Sequence, residues 1–251
     1  MKKYRDEDWL KKQYGEREQS LKEIAKKCEI GKTTIWNWIH EFEIEKKTKE
    51  DIAKENPLSW SKNIAYLSGL ITSDGSLRKD RPEVTFTSKD YSLVTQVKEI
   101  AEDSLNISNC TPFQINNGAW RYQFTSRCFY YFLEKMELIP DKSHKLEILN
   151  IPKNMFLDWL RGEIDGDGCF DIDPRDNYLR MSIYSSSFTF LKWISQELKK
   201  RNLVNGKGNV NKSECYELRF YDQDSKSIAR AIYDNADYYL QRKYDIAKKF
   251  I

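Results

Sequence analysis

Two short stretches of the chain carry residues whose types and spacing suit metal-dependent chemistry. YLSGLITSDGSL, Tyr66 to Leu77, returns as WLRGEIDGDGCF, Trp159 to Phe170, at an offset of 93 residues. In each copy two small residues stand four apart, Gly69 and Ser73, then Gly162 and Gly166. That spacing puts them on one helix face, and side chains this small let two helix backbones approach closely, so these four are the expected interface between two motif helices. Each helix is predicted to stop at an aspartate followed by glycine, Asp74-Gly75 and Asp167-Gly168, with the glycine as a left-handed cap. Two carboxylates then meet where helix C-termini already expose partial negative charge and unpaired carbonyls, and a divalent cation resolves that conflict. Carboxylate and carbonyl oxygens suit magnesium. Asp74 and Asp167, with Ser73 and Gly166 just before them, are the candidate ligands. Two-metal phosphodiester hydrolysis needs such a site: one metal orients and acidifies a water, another stabilises the leaving oxygen. A single Asp-Gly is a common turn; two of them on matched helices within a repeat argue for metal binding.

The sequences downstream of the two copies also correspond, so the repeat is a whole unit. Each copy is followed by a strand pair, a helix, a second strand pair and further helix. In the first unit Val84-Thr85-Phe86-Thr87 alternates as a strand, and Tyr91 to Leu105 reads as helix. Gln114 to Gly118 leads through an Asn-Gly turn into Trp120, Tyr122 and Phe124, which share a strand face. The second unit offers Leu179, Met181 and Ile183, a helix from Phe188 to Arg201, a turn around Gly206 to Gly208, then Tyr216, Leu218 and Phe220. The prediction is α+β: two αββαββα units at 61–150 and 151–251.

Residues 1–45 read as three short helices. Ser20 and Glu23 form a capping box ahead of Leu21, Ile24 and Ala25. After Cys28-Glu29-Ile30-Gly31, a helix from Lys32 to Phe42 turns Ile35, Trp38, Ile39 and Phe42 inward, leaving Lys32, Thr33, Thr34, Trp36, Asn37 and His40 outward. This stretch resembles a helix-turn-helix of the homeodomain-like, resolvase-type class, which implies that the outward residues face DNA. A three-helix interaction module would show the same pattern. Glu29 stands where such units often carry Gly, which predicts a slightly different turn. Residues 46–60, charged and containing Pro57, read as a linker.

Composition closes off other chemistries. At 39% hydrophobic and 14% aromatic the chain can bury a core, and no run of about 18 apolar residues exists to span a membrane. The start, MKKYRDEDWL, predicts no signal peptide. Five scattered cysteines without a C-x-x-C pair predict reduced thiols in an intracellular compartment. With only His40 and His144, histidine-based metal cages and Ser-His-Asp or Cys-His catalysis are poor fits. The net charge of +3 is compatible with almost any partner.

Leu67-Ser-Gly-Leu-Ile-Thr-Ser-Asp74-Gly75 and Leu160-Arg-Gly-Glu-Ile-Asp-Gly-Asp167-Gly168 resemble the signature of the LAGLIDADG homing endonucleases of mobile introns, in their single-chain, two-motif form. Thr72 replaces the first acid of copy one, and Glu163 replaces a Leu in copy two, where it must face outward or find a partner. The resemblance implies a pseudo-symmetric tandem fold with saddle-shaped antiparallel sheets along the major groove. It implies a monomer that cuts both strands of a long, nonpalindromic double-stranded DNA site and leaves short 3′ overhangs. Magnesium is the implied cofactor, manganese substituting and calcium binding without cleavage. It also implies a lysine near the scissile phosphate in each unit. Lys142 and Lys243, 68 and 76 residues after their aspartates, match in position; solvated surface is the other reading of either. The implied reading faces carry Thr85, Thr87, Gln114, Asn116, Arg121 and Gln123 in one unit and Arg180, Ser182, Tyr184, Asn209, Asn211 and Arg219 in the other. Arg suits guanine, and Gln or Asn suits adenine. The alternative is a noncatalytic transcription regulator, or an RNA maturase that assists intron splicing, on the same fold. Met1 and Phe250-Ile251 lack splice-junction residues, an expectation against an intein.

Overall fold

A computed structural model describes residues 2–16, 19–45, 48–140, 146–206, 208–212 and 215–251. They fall into two units, Met1–Pro57 and Leu58–Ile251. Among the described residues, no helix is long and apolar enough to cross a membrane.

In the smaller unit α1 (Glu7–Leu10) continues into a wider turn over Lys11–Glu16, and α2 (Leu21–Lys27) and α3 (Lys32–Glu41) follow. Leu10, Ile24, Ala25, Ile35, Ile39 and Ile44 form its core. The Ser20–Glu23 capping box is present, with both backbone donors satisfied. The turn between α2 and α3 keeps its left-handed residue without glycine: Glu29 itself takes φ 54°. The Ile30 amide donates to the Ala25 carbonyl and the Glu29 amide to that of Lys26, closing the paired-bond helix stop that a left-handed residue permits. The segment predicted as linker holds a further helix, α4 (Lys49–Glu55), which Thr48 and Asp51 start with a second capping box. Its short polar sequence has no apolar period to reveal it, but the Thr-x-x-Asp start was legible.

The larger unit runs α5 (Lys62–Asp74), β1 (Gly75–Leu77), β2 (Glu83–Ser88), α6 (Tyr91–Leu105), β3 (Phe113–Gln114), β4 (Trp120–Thr125) and α7 (Arg127–Lys135). The series then repeats as α8 (Phe156–Asp167), β5 (Gly168–Ile172), β6 (Leu179–Ser185), α9 (Phe188–Lys200), β7 (Asn209–Lys212), β8 (Tyr216–Tyr221) and α10 (Asp222–Tyr233), with α11 (Gln241–Ala247) appended. The two antiparallel sheets have the matching orders β1-β2-β4-β3 and β5-β6-β8-β7. This is the tandem αββαββα arrangement with two open, saddle-shaped sheets. Val84, Phe86, Tyr122 and Phe124 in one sheet, and Met181, Ile183, Leu218 and Phe220 in the other, turn inward onto a core shared with α5 and α8.

Two features of the larger unit differ from the sequence expectation. Gly75 and Gly168 are extended, with φ of −90° and −95°, so they are not left-handed caps. Each helix passes straight into a strand, and a Cβ on Gly75 would stand 2.6 Å from Ile71 Cα, one on Gly168 2.7 Å from Ile164 Cα. Glycine is required there for close passage of the strand over the last helical turn. The other difference is register. Gln114 pairs with Trp120, and paired residues share a face, so Gln114 belongs to the aromatic side and Phe113 takes the place opposite Arg121. Asn116 lies beyond this two-residue strand, exposed in the turn that Gly118 closes at φ 81°.

Candidate active site and nucleic-acid interface

Helices α5 and α8 are held together by backbone contact. A Cβ on Gly69 would lie 2.0 Å from the Trp159 carbonyl oxygen and 3.0 Å from Gly162 Cα; one on Gly162 would lie 2.2 Å from the Tyr66 carbonyl oxygen. One turn further on, a Cβ on Gly166 would meet Ser73 Oγ at 1.8 Å and come within 3.5 Å of Asp74 Oδ2. All four small residues therefore lie along the crossing. Asp74 ends α5 against Gly166, the residue that precedes Asp167 at the end of α8. Asp74 is half-buried and Asp167 exposed.

A pair of reciprocal hydrogen bonds crosses this interface, at positions the repeat relates. Tyr66 Oη donates to Asp165 Oδ2 at 2.9 Å, and Trp159 Nε1 donates to Thr72 Oγ1 at 3.2 Å. The offset of 93 takes Tyr66 to Trp159 and Thr72 to Asp165, so each motif helix sends an aromatic donor to the other's polar residue. Copy one uses a neutral pair; copy two uses a carboxylate. Thr72 also donates to the Ser68 carbonyl, which satisfies its own proton.

Asp165 is 1% exposed, and its Oδ2 also accepts the Leu240 amide at 2.8 Å. Burial pushes its carboxyl up to about 6, against the opposing pull of that amide, the Lys243 charge, the Tyr66 hydroxyl and Arg161. Arg161, also buried, donates to the carbonyls of Tyr238 and Ile232 and pairs with Asp158 at 3.0 Å. These bonds fasten the 232–243 segment to α8. Sequence reasoning passed over Arg161, Tyr66, Trp159 and Asp165 as sites, although pairing the repeats position by position exposes the last three.

Lys243 sits within this segment and is 3% exposed. Its Nζ donates to the carbonyls of Ile164 at 2.6 Å, Asp165 at 2.8 Å and Gly166 at 3.2 Å. Those are carbonyls of the last turn of α8, where only that of Ile164 also accepts a backbone amide, from Gly168, and a cation suits that end of the helix dipole. Burial pulls the ammonium down to about 8. Its three protons thus hold the turn that presents Asp167. Glu163, expected to face outward or find a partner, is buried at 1% exposure. Lys142 lies outside the described residues.

Replacing Lys243 by Met keeps the stem packing but removes three charge-assisted bonds. The expected cost is on the order of 2 kcal/mol, read as a lower urea midpoint at unchanged slope. An unchanged midpoint would mean that the ammonium does not hold the end of α8 in solution.

On the outer face of the first sheet Thr85 pairs with Gln123 and Thr87 with Arg121, whose Nε donates to Thr87 Oγ1 at 3.2 Å. In the second sheet Ser182 pairs with Arg219, Tyr184 with Glu217 and Asn211 with Glu217, so these residues share one outer face with Arg180, and the Asn209 backbone is in register with Arg219. Arg180 is clamped between Asp171 and Asp173, at 2.5 and 2.9 Å. In the helical unit Lys32, Thr33, Trp36, Asn37 and His40 are exposed and Thr34 half-buried, and Trp36 packs its ring on His40 at 4.7 Å between centroids.

Among the described residues, no group of three or more His, Cys, Asp or Glu side chains is placed to hold a metal ion. At the end of the crossing the Asp74 carboxylate reaches the position of Gly166, and Asp167 follows it at the end of α8. Oxygen donors of this kind leave coordination positions to water and to a phosphate, which is how magnesium is commonly held.

Comparison with known proteins agrees with this architecture. Residues 61–136 match the model of a LAGLIDADG-like domain. A component of the A-type ATP synthase of Methanopyrus kandleri is 26% identical over 107 residues, 43% of this chain and 10% of that protein; the chain thus spans about a tenth of that curated relative's length. The homing endonuclease I-WcaI bound to its DNA recognition sequence superposes with a TM-score of 0.55 at 12% identity, over 78% of this chain and 90% of that one. Full-length DUF199/WhiA from Thermatoga maritima gives 0.51 at 16% identity, over 81% and 66%. The larger unit is therefore a LAGLIDADG-fold domain, a fold found in a homing endonuclease and in WhiA alike, and extra N-terminal helices precede it.

Proposed function

We propose that the chain is a site-specific endonuclease that cuts both strands of a long, nonpalindromic DNA site by magnesium-dependent phosphodiester hydrolysis, leaving short 3′ overhangs. The observation that carries this reading is the crossing of α5 and α8, which ends with Asp74 against Gly166 and Asp167 one residue beyond. Asp74, Asp167 and the Gly166 carbonyl, with that of Ser73, are the residues that would hold divalent cations. When bound, such a cation acidifies a water and stabilises a leaving oxygen. The chain's own contribution is placement: glycine contact fixes the helix ends, Lys243 holds the last turn of α8, and Asp167 stays open to solvent. Lys142 keeps its proposed place near the second scissile phosphate. Thr85, Thr87, Arg121 and Gln123 on one sheet, and Tyr184, Asn211 and Arg219 on the other, are the proposed base readers. The helical unit at residues 1–45 adds a DNA contact through α3.

A noncatalytic DNA-binding regulator is the second reading, favoured by the separate helical unit and by the fold shared with WhiA. Incubation of the full chain with a randomised duplex library separates them. Cuts with 3′ overhangs at one long site under magnesium, with retention but no cutting under calcium, are expected of the endonuclease. Specific retention without cutting under magnesium or manganese would leave the regulator.

A further inference from the structure

At one pair of matching positions the two outer sheet faces carry opposite charge. Arg121 pairs with Thr87 in the first sheet; its counterpart in the second, Glu217, pairs with Tyr184. An acid on a surface meant for DNA is electrostatically unfavourable, since it faces a polyanion. Its surroundings supply a reason for it. Glu217 Oε1 accepts from Arg219 Nε at 3.0 Å, from Arg219 Nη2 at 2.5 Å and from Tyr184 Oη at 2.9 Å, while Arg219 Nε also reaches Ser182 Oγ at 3.2 Å. The Nε–Nη2 edge of the guanidinium is therefore taken by the carboxylate. The Arg219 side chain remains 29% exposed, against 13% for Glu217. Arg180, by contrast, is held on two sides by Asp171 and by the buried Asp173.

We propose that Glu217 is a specificity-determining residue: it fixes Arg219 so that the outer end of the guanidinium reads one guanine in the half-site bound by the second sheet. The inference rests on the sheets being DNA-reading faces. Two effects combine in it. An arginine ordered before binding loses less side-chain freedom when it pairs with guanine O6 and N7. The carboxylate also removes the gain an unrestrained arginine would make by swinging to a phosphate, which carries no sequence information. Glu217 thus trades general affinity for discrimination, and Tyr184 and Ser182 hold the pair in register.

The test is selection of bound sequences from a randomised duplex library by the full chain in calcium, followed by sequencing. For the wild type one position in the bound site is expected to require guanine. Arg219→Ala abolishes that requirement and leaves the rest of the profile in place. Glu217→Ala keeps or raises total binding but lowers the guanine preference at that position on the order of tenfold, and Glu217→Gln, which retains an acceptor oxygen, restores part of it. A Glu217→Ala profile that superposes on the wild type, or guanine persisting in Arg219→Ala, overturns the assignment while the DNA-reading face stands. Failure of the wild type to enrich any sequence removes the face, and this inference with it.

Discussion

Replacing Gly69 by alanine is expected to unfold much of the larger unit at temperatures where the wild type is intact. The added methyl would lie 2.0 Å from the Trp159 carbonyl oxygen and 2.8 Å from the Glu163 amide nitrogen. Both are backbone atoms in the middle of α8, so no rotamer change makes room, and the two helices must separate along their whole crossing. Extra methylenes in well-packed cores ordinarily cost about 1–3 kcal/mol, and contact with main chain on a helix that is buried all round belongs above that range. Parting α5 from α8 also strains the Tyr66–Asp165 and Trp159–Thr72 bonds, which need the present spacing. Gly162→Ala should behave alike, because its methyl meets the Tyr66 carbonyl oxygen at 2.2 Å. The control is Gly31→Ala in the helical unit, where the added methyl meets open space; as the N-cap of α3 it should cost only about 0.5 kcal/mol, far less than Gly69→Ala. The measurement is urea denaturation followed by near-ultraviolet dichroism, to which Trp159 and Tyr66 contribute. A Gly69→Ala midpoint within error of the wild type would mean the helices do not cross by backbone contact.

That crossing was readable from the sequence because its signal is periodic and doubled. Small residues four apart, repeated at an offset of 93, admit few arrangements, and the inward alternation of Val84 and Phe86 or Leu218 and Phe220 follows from period two. What escaped reading depends on single contacts with no period. Gln114 landed on the aromatic side because β3 is only two residues long, too short for alternation to fix its register. Glycine after a helix usually serves as a left-handed cap, which is what the sequence predicts for Gly75 and Gly168. Here the constraint is close passage over Ile71 and Ile164, which only coordinates reveal. Lys243 was legible as a residue near the end of a unit, but not as a buried one. Lysine is seldom buried, and the compensation comes from three carbonyls more than 75 residues away in the chain.

Asp167→Asn and Asp74→Asn are expected to separate chemistry from folding. Each swap is isosteric and removes one negative charge at a helix C-terminus, where the dipole disfavours a carboxylate while the Lys243 ammonium favours that of Asp74, so thermal stability should change little. Cleavage should fall on the order of a thousandfold in either variant, since a divalent ion held by Asp74 and Asp167 would lose a carboxylate ligand, and with it several kcal/mol of transition-state stabilisation. DNA retention should change little, because neither aspartate lies on the outer sheet faces that carry Arg121 and Arg219. The contrast with Lys243→Met is diagnostic. That variant loosens the turn presenting Asp167 and should lower stability and cleavage together, whereas the asparagine variants lower cleavage alone. Titration by manganese sharpens the distinction: a weakened but present site is rescued in part at high metal concentration, which shifts the midpoint of the titration, whereas a disordered helix end is not rescued. If instead both asparagine variants melt well below the wild type, the aspartates serve the fold. The crossing of α5 and α8 would then be a structural device retained by a DNA-binding protein that does not cut.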